Sequence, residues 1–129
     1  MASKQIIGEP LIINGRTLSL SKAIRAGDFI FLTGQVPIKN GEIVVEGSIE
    51  EQTVIVIEEI KNTLKLAGAE LKDVVKAMVW LREKDDFPGF NAVYGQYFPK
   101  DPPVRSAVLN TLLVDVRVEI EVIAYKPLI

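Results

Sequence analysis

Apolar residues recur along this chain in short alternating or continuous runs, broken by two longer stretches at three- and four-residue spacing. That pattern predicts several strands with two helices set among them. Pro10 to Ile13 reads as a short strand closed by a turn at Asn14-Gly15, and a second extended piece over Ser19 to Ile24 would complete a hairpin. The run Phe29-Ile30-Phe31-Leu32 has the character of a buried strand. It ends at Thr33-Gly34-Gln35, where Gly34 suggests close approach by a ligand or another backbone. Lys39-Asn40-Gly41-Glu42 is a turn leading into Ile43-Val44-Val45.

Ser48-Ile49-Glu50-Glu51 carries the pattern of a capping box, with Ser48 as N-cap. The helix it starts has its apolar side at Thr53, Val56, Ile57, Ile60, Leu64 and Ala67, and Gly68 falls just past its end. Glu58, Glu59, Lys61 and Asn62 are assigned to the solvated side. Val74 to Leu81 is rich in β-branched residues and predicts an interior strand. A second helix over about Asp86 to Phe98 presents an aromatic stripe of Phe87, Phe90, Tyr94, Tyr97 and Phe98 with Val93, whose plain reading is core packing.

Two strands close the chain, Arg105 to Asn110 and Val116 to Tyr125. In the second, Val118, Ile120, Val122 and Ala124 share one face, and Arg117, Glu119, Glu121, Ile123 and Tyr125 the other. The order of elements implies an α+β fold, a sheet with both helices on one side. Phe29, Phe31 and Ile123 would then lie on the uncovered face, which self-association would bury.

The chain has 129 residues, enough for one domain over 1–129 that folds without disulfides or a structural metal. Hydrophobic residues make up 48% and charged residues 25%, as in a soluble globular protein. The net charge of -2, from 15 basic and 17 acidic residues, gives no general attraction to nucleic acid or anionic membrane. Met1 to Ile6 lacks the apolar core of a signal peptide, so a cytoplasmic protein is expected.

Absence of cysteine and histidine removes thiolate nucleophiles, zinc-thiolate sites, the usual general base and the commonest metal ligand. No cofactor or metal is expected. Asp85-Asp86 is the nearest adjacent acidic pair, but it stands at a helix start, where acids suit the dipole.

Catalysis would therefore fall to carboxylates, Arg, Lys, Tyr, hydroxyls or backbone groups. Arg105, entering an apolar stretch after Pro102-Pro103, and Glu119, in the alternating strand, are the best candidates. If Arg105 lies in a buried strand, its charge needs a partner or an anionic ligand. Taken alone, the two residues read more readily as a structural ion pair, or as side chains that never meet and face water, than as a working site.

Six segments in a fixed order resemble the RidA (YjgF) family, also named endoribonuclease L-PSP. They are Thr33-Gly34-Gln35, Ile49-Glu50-Glu51-Gln52-Thr53, Leu66-Ala67-Gly68-Ala69 with Leu71-Lys72-Asp73-Val74-Val75, Phe90-Asn91-Ala92-Val93-Tyr94 with Tyr97-Phe98, Pro103-Val104-Arg105-Ser106, and Val118-Glu119-Ile120-Glu121. The resemblance covers about residues 20 to 125. It implies a chorismate-mutase-like α+β fold assembled as a homotrimer, with ligand sites in clefts between subunits.

The implied activity is that of a 2-iminobutanoate/2-iminopropanoate deaminase, hydrolysing 2-aminoacrylate and related enamines and imines to 2-keto acids and ammonia. By the same resemblance Arg105 grips the substrate carboxylate and Glu119 orients or activates water. Thr33 and Gly34 hold the reacting region, partly through backbone groups, and Asn91 lies near the site. Two positions depart from the family pattern: Leu20 stands where a Tyr is common, and Ala107 where a Cys is common. Both would line the substrate site, and the loss of the Tyr ring and hydroxyl points to a more apolar preference.

The alternative implied function is a non-enzymatic binding or regulatory protein for 2-keto acids. RNA cleavage, carried by the family's other name, has little support in a chain with negative net charge, no histidine and no basic-aromatic strip. Lys61, Lys65, Lys72 and Lys76 read as solvated positions.

Overall fold

A computed structural model of the chain describes residues 3–128; Met1 and Ala2, the first residues of the segment judged for a signal peptide, and Ile129 lie outside the described residues. The strands are β1 (Gln5–Ile7), β2 (Ile12–Ile13), β3 (Arg16–Thr17), β4 (Ala23–Ala26), β5 (Phe29–Leu32), β6 (Ile38–Lys39), β7 (Glu42–Ile43), β8 (Val74–Leu81), β9 (Val104–Leu109) and β10 (Val118–Tyr125). Helix α1 spans Ile49–Leu66 and α2 spans Phe87–Tyr97. Six strands form one sheet in the order β1-β4-β5-β10-β8-β9, antiparallel throughout except for the parallel pair β8 and β9, which α2 connects. This is the expected α+β arrangement, with both helices on one face of a mixed sheet.

The first hairpin is smaller than the sequence suggests. Asn14 and Gly15 both take positive φ (52° and 77°), the geometry of a tight two-residue turn, and join β2 to β3 alone. The second arm expected over Ser19 to Ile24 does not pair with Pro10 to Ile13. Instead β4 pairs with β1, a three-residue strand too short to announce itself by alternation, and with β5 on its other side. Asn40 and Gly41 repeat the positive-φ turn between β6 and β7. At the other end of the chain, β9 begins and ends one residue earlier than expected, and β10 begins at Val118 rather than Val116.

Helix α1 starts and stops where its sequence says. Ser48 Oγ accepts from the Glu51 amide (3.1 Å), the Glu51 carboxylate accepts from the Ser48 amide (2.9 Å), and Gly68 at φ 79° ends the helix. Its face of Ile49, Val56, Ile57, Ile60 and Leu64 packs on Ile30, Ala77, Val79, Val118, Ile120, Val122 and Ala124, all buried in one core with Phe90 and Tyr94 of α2. Glu58 departs from the solvated role expected of it. It is half-buried and accepts a 2.7 Å hydrogen bond from the Tyr97 hydroxyl, which clamps α1 to α2. Burial and the Glu58 carboxylate push the Tyr97 hydroxyl up to about 12, so it remains a donor throughout the physiological range.

Arg25 is 5% exposed and lies in β4. Its guanidinium donates to the carbonyls of Lys126 (2.7 Å), Ala67 (3.2 Å) and Gly27 (3.4 Å). The Ala67 carbonyl is at the C-cap of α1, where a cation also suits the helix dipole. One buried side chain thus ties β4 to the end of α1 and to the segment after β10.

The second sheet face is open in the single chain. Phe29 (42% exposed) and Phe31 (43%) lie there with Tyr125 and Ile123, and the Phe29 ring meets Tyr125 edge-on at 5.2 Å. Among the described residues no helix is long and apolar enough to cross a membrane.

Candidate functional site

Strand β9 is an edge strand, and all of its residues except Ala107 are exposed. Arg105 therefore does not sit in a buried strand, contrary to the expectation that gave its charge a reason. It is instead held in place by α2. Its Nη1 donates to Asn91 Oδ1 at 2.9 Å, and the guanidinium carbon lies 4.8 Å from the Tyr94 ring centre, 5.6 Å from Phe90 and 5.8 Å from Phe87. Planar guanidinium stacks well on aromatic faces. The aromatic stripe read as core packing has both roles: Phe90 and Tyr94 are buried, and the same rings set the orientation of Arg105. Among the described residues Arg105 forms no salt bridge. Its remaining N–H groups are available to an anion.

Glu119 stands elsewhere. Register aligns it with Trp80 on β8, on the sheet face away from the helices, whereas Arg105 aligns with Ala77, whose side chain is in the core. Because side chains alternate between faces, Arg105 and Glu119 of one chain lie on opposite sides of the sheet. The pair singled out in the sequence is thus not an intramolecular ion pair.

Thr33 and Gly34 belong with Glu119. The backbone of Gln35 bridges to Ile120 in both directions (2.8 and 3.0 Å), bringing the preceding residues beside Glu119. A Cβ on Gly34 would collide with the Glu119 carboxylate, so the absent side chain is what lets that carboxylate lie against the backbone. The Thr33 amide donates to the Lys22 carbonyl at 3.1 Å, which leaves its hydroxyl as the group to offer a ligand. Burial, with a smaller contribution from the nearby Glu121 charge, raises the Glu119 carboxyl above the usual carboxylate range.

The departing positions flank the two clusters. Leu20 is exposed in the connection between β3 and β4, two residues before the Lys22 carbonyl that receives Thr33. Ala107 is two residues along β9 from Arg105, on the same face, and half-buried.

Asp86 is used structurally: Arg117 Nη1 donates to both its oxygens (2.9 and 3.1 Å). The Arg117 amide meets the Oε1 of buried Gln52 at 2.8 Å, a link between α1 and β10 that the sequence does not reveal. Among the described residues no three acidic side chains cluster in a way that could hold a metal ion.

Comparison with known proteins identifies the family. The family model described as endoribonuclease L-PSP matches residues 16–126. A RutC family protein of Pyrococcus horikoshii is 50% identical over 109 residues, covering 82% of this chain and 86% of that protein. Mmf1 of Saccharomyces cerevisiae, named as mitochondrial, is 36% identical over 84% of this chain and 75% of its own. The crystal structure of yeast Mmf1 superposes with a TM-score of 0.86 over 95% of this chain and 98% of that one, at 32% identity. The structure of Escherichia coli TdcF with bound serine superposes at 0.83, with 30% identity, 95% of this chain and 98% of that one. With a family match over most of its length and relatives at this level of identity, the chain belongs to the endoribonuclease L-PSP family, which includes the Rid and RutC proteins.

Proposed function

We propose that this protein is a hydrolase of 2-imino acids, acting in a cleft between copies of the chain in a homotrimer. The carrying observation is the oriented, acid-free guanidinium of Arg105, held by Asn91 and three rings. Such a group clamps a carboxylate through two parallel N–H···O bonds. The serine bound in TdcF supports a small carboxylate ligand for this family. Glu119 is on the opposite sheet face, so a complete site needs Arg105 from one copy and Thr33, Gly34 and Glu119 from another. Exposed Phe29 and Phe31 on that face favour its burial by self-association.

The reaction fits these groups. A 2-aminoacrylate tautomerises to the 2-iminopropanoate by taking a proton at its terminal carbon and giving one up from its nitrogen. Glu119 takes a proton from water as the water oxygen bonds to the imine carbon, and hands it to the nitrogen, which receives the electron pair of the C=N bond. The hydroxyl proton of the resulting carbinolamine then passes through Glu119 to the nitrogen as the C=O bond forms and the C–N bond breaks, releasing ammonia and leaving pyruvate. Burial raises the Glu119 carboxyl, which makes its ionised form a stronger base than an exposed carboxylate, and a positioned acid-base group contributes about 10²- to 10⁴-fold. Thr33 and Gly34 border the position of the reacting carbon, and Leu20 and Ala107 form its outer walls. A cytoplasmic location belongs to the same proposal, and cell fractionation tests it.

The test is keto-acid release from imines generated in situ, measured above the uncatalysed rate. Arg105→Ala should abolish the enzymatic component while leaving the oligomer intact. Glu119→Gln should slow the chemical step by about 10²-fold or more with ligand binding largely retained. Turnover by Arg105→Ala equal to the natural chain would refute the proposal. Binding of 2-keto acids without any turnover would instead assign a metabolite-binding role to the same cleft.

A further inference from the structure

Beside Arg105, on the same edge of the sheet, an apolar depression is lined by Leu81, Phe87, Ala107, Val108 and Leu109, with Lys84 as its one charged residue. Its position relative to the clamp is fixed by two links. Ala107 follows Arg105 by two residues on one strand face, about 7 Å away by strand geometry. Phe87 touches both, with its ring 5.8 Å from the guanidinium carbon and part of the depression's wall. Arg105 itself lines the neighbouring cavity with Asn91, Tyr94 and Phe98, so a ligand whose carboxylate sits on Arg105 reaches the depression by running its side chain along β9 past Phe87.

We infer that the depression is the side-chain subsite of the ligand, and that it selects 2-imino and 2-keto acids with branched or long apolar side chains over those with a single methyl. The inference rests on the carboxylate-clamp reading of Arg105. Ala107 is the smallest side chain of the lining, so a longer one there would occupy space that the ligand's side chain needs. Phe87 and Leu109 are 40% and 53% exposed in the single chain, so the subsite offers apolar surface for a ligand to cover. Leu81, at 2% exposure, forms its rigid base.

Calorimetric titration of the full chain in its native assembly with 4-methyl-2-oxopentanoate, pyruvate and oxaloacetate tests this. The branched acid carries three more carbons than pyruvate, and their burial predicts affinity tighter by about tenfold or more. Ala107→Leu should remove most of that difference by filling the subsite. Leu109→Asp, exposed in the single chain and checked by size-exclusion chromatography to assemble as the natural protein does, should also reduce it, by bringing a charge against the apolar chain. Pyruvate binding as tightly as the branched acid, equal weakening of both by Ala107→Leu, or no binding of either overturns the subsite. Tightest binding by oxaloacetate overturns it too, because the second carboxylate would then be answering Lys84. Imine turnover by the natural chain is scored separately: turnover without the binding preference defeats the subsite and keeps the hydrolase, whereas the preference without turnover does the reverse.

Discussion

Glu119 carries its own test in its surroundings. Burial raises its carboxyl in the folded chain, so the folded state holds that proton more tightly than the unfolded one. By linkage the associated stability is present at low pH and is lost as pH rises through the raised value. Glu119→Gln should therefore melt higher than the natural chain at pH 8, with the difference closing toward pH 4. A difference independent of pH would show that Glu119 is not ionising in a buried place. Arg105, Glu119 and Gly34 stand out among the residues of the sequence itself, and Asn91 only through the family resemblance. What stayed hidden was their division between two faces. Glu119 alternates with core residues, so its face can be read within β10. Arg105 cannot be placed that way, because β9 is exposed on both sides and gives no alternation from which to take a phase. Only the parallel register with β8 sets it opposite Ala77.

Elements with complete local signals came through best. Strand β8 was read over its full extent, and α1 was fixed at both ends because cap chemistry is written into Ser48, Glu51 and Gly68. The pattern of the sequence does not show β1, nor therefore the partner of β4, since three residues cannot display a period. Arg25 was equally invisible. Its partners are backbone carbonyls, so no complementary acid in the sequence points to it. Arg25→Met should cost roughly 2 to 3 kcal/mol in urea unfolding, because it leaves the carbonyls of Ala67 and Lys126 without a donor. A cost near zero would mean that water replaces the guanidinium and that the staple contributes nothing.

At the scale of the whole molecule, one chain carries the Arg105 cluster and the Glu119 cluster on opposite faces of a sheet, with an aromatic surface on the face of Glu119. The proposed cyclic assembly would account for both at once, because each interface would then join the Arg105 edge of one copy to the Glu119 face of the next. Complementation between inactive variants tests this directly. Arg105→Ala and Glu119→Gln chains are unfolded together, mixed in equal amounts, refolded and assayed for imine hydrolysis. Random mixing in a ring gives about one interface in four with both natural side chains, so about a quarter of natural activity should return. If each variant is inactive alone and the mixed assemblies, shown to contain both chains, remain inactive, then the two residues do not share a site across copies and the account is wrong.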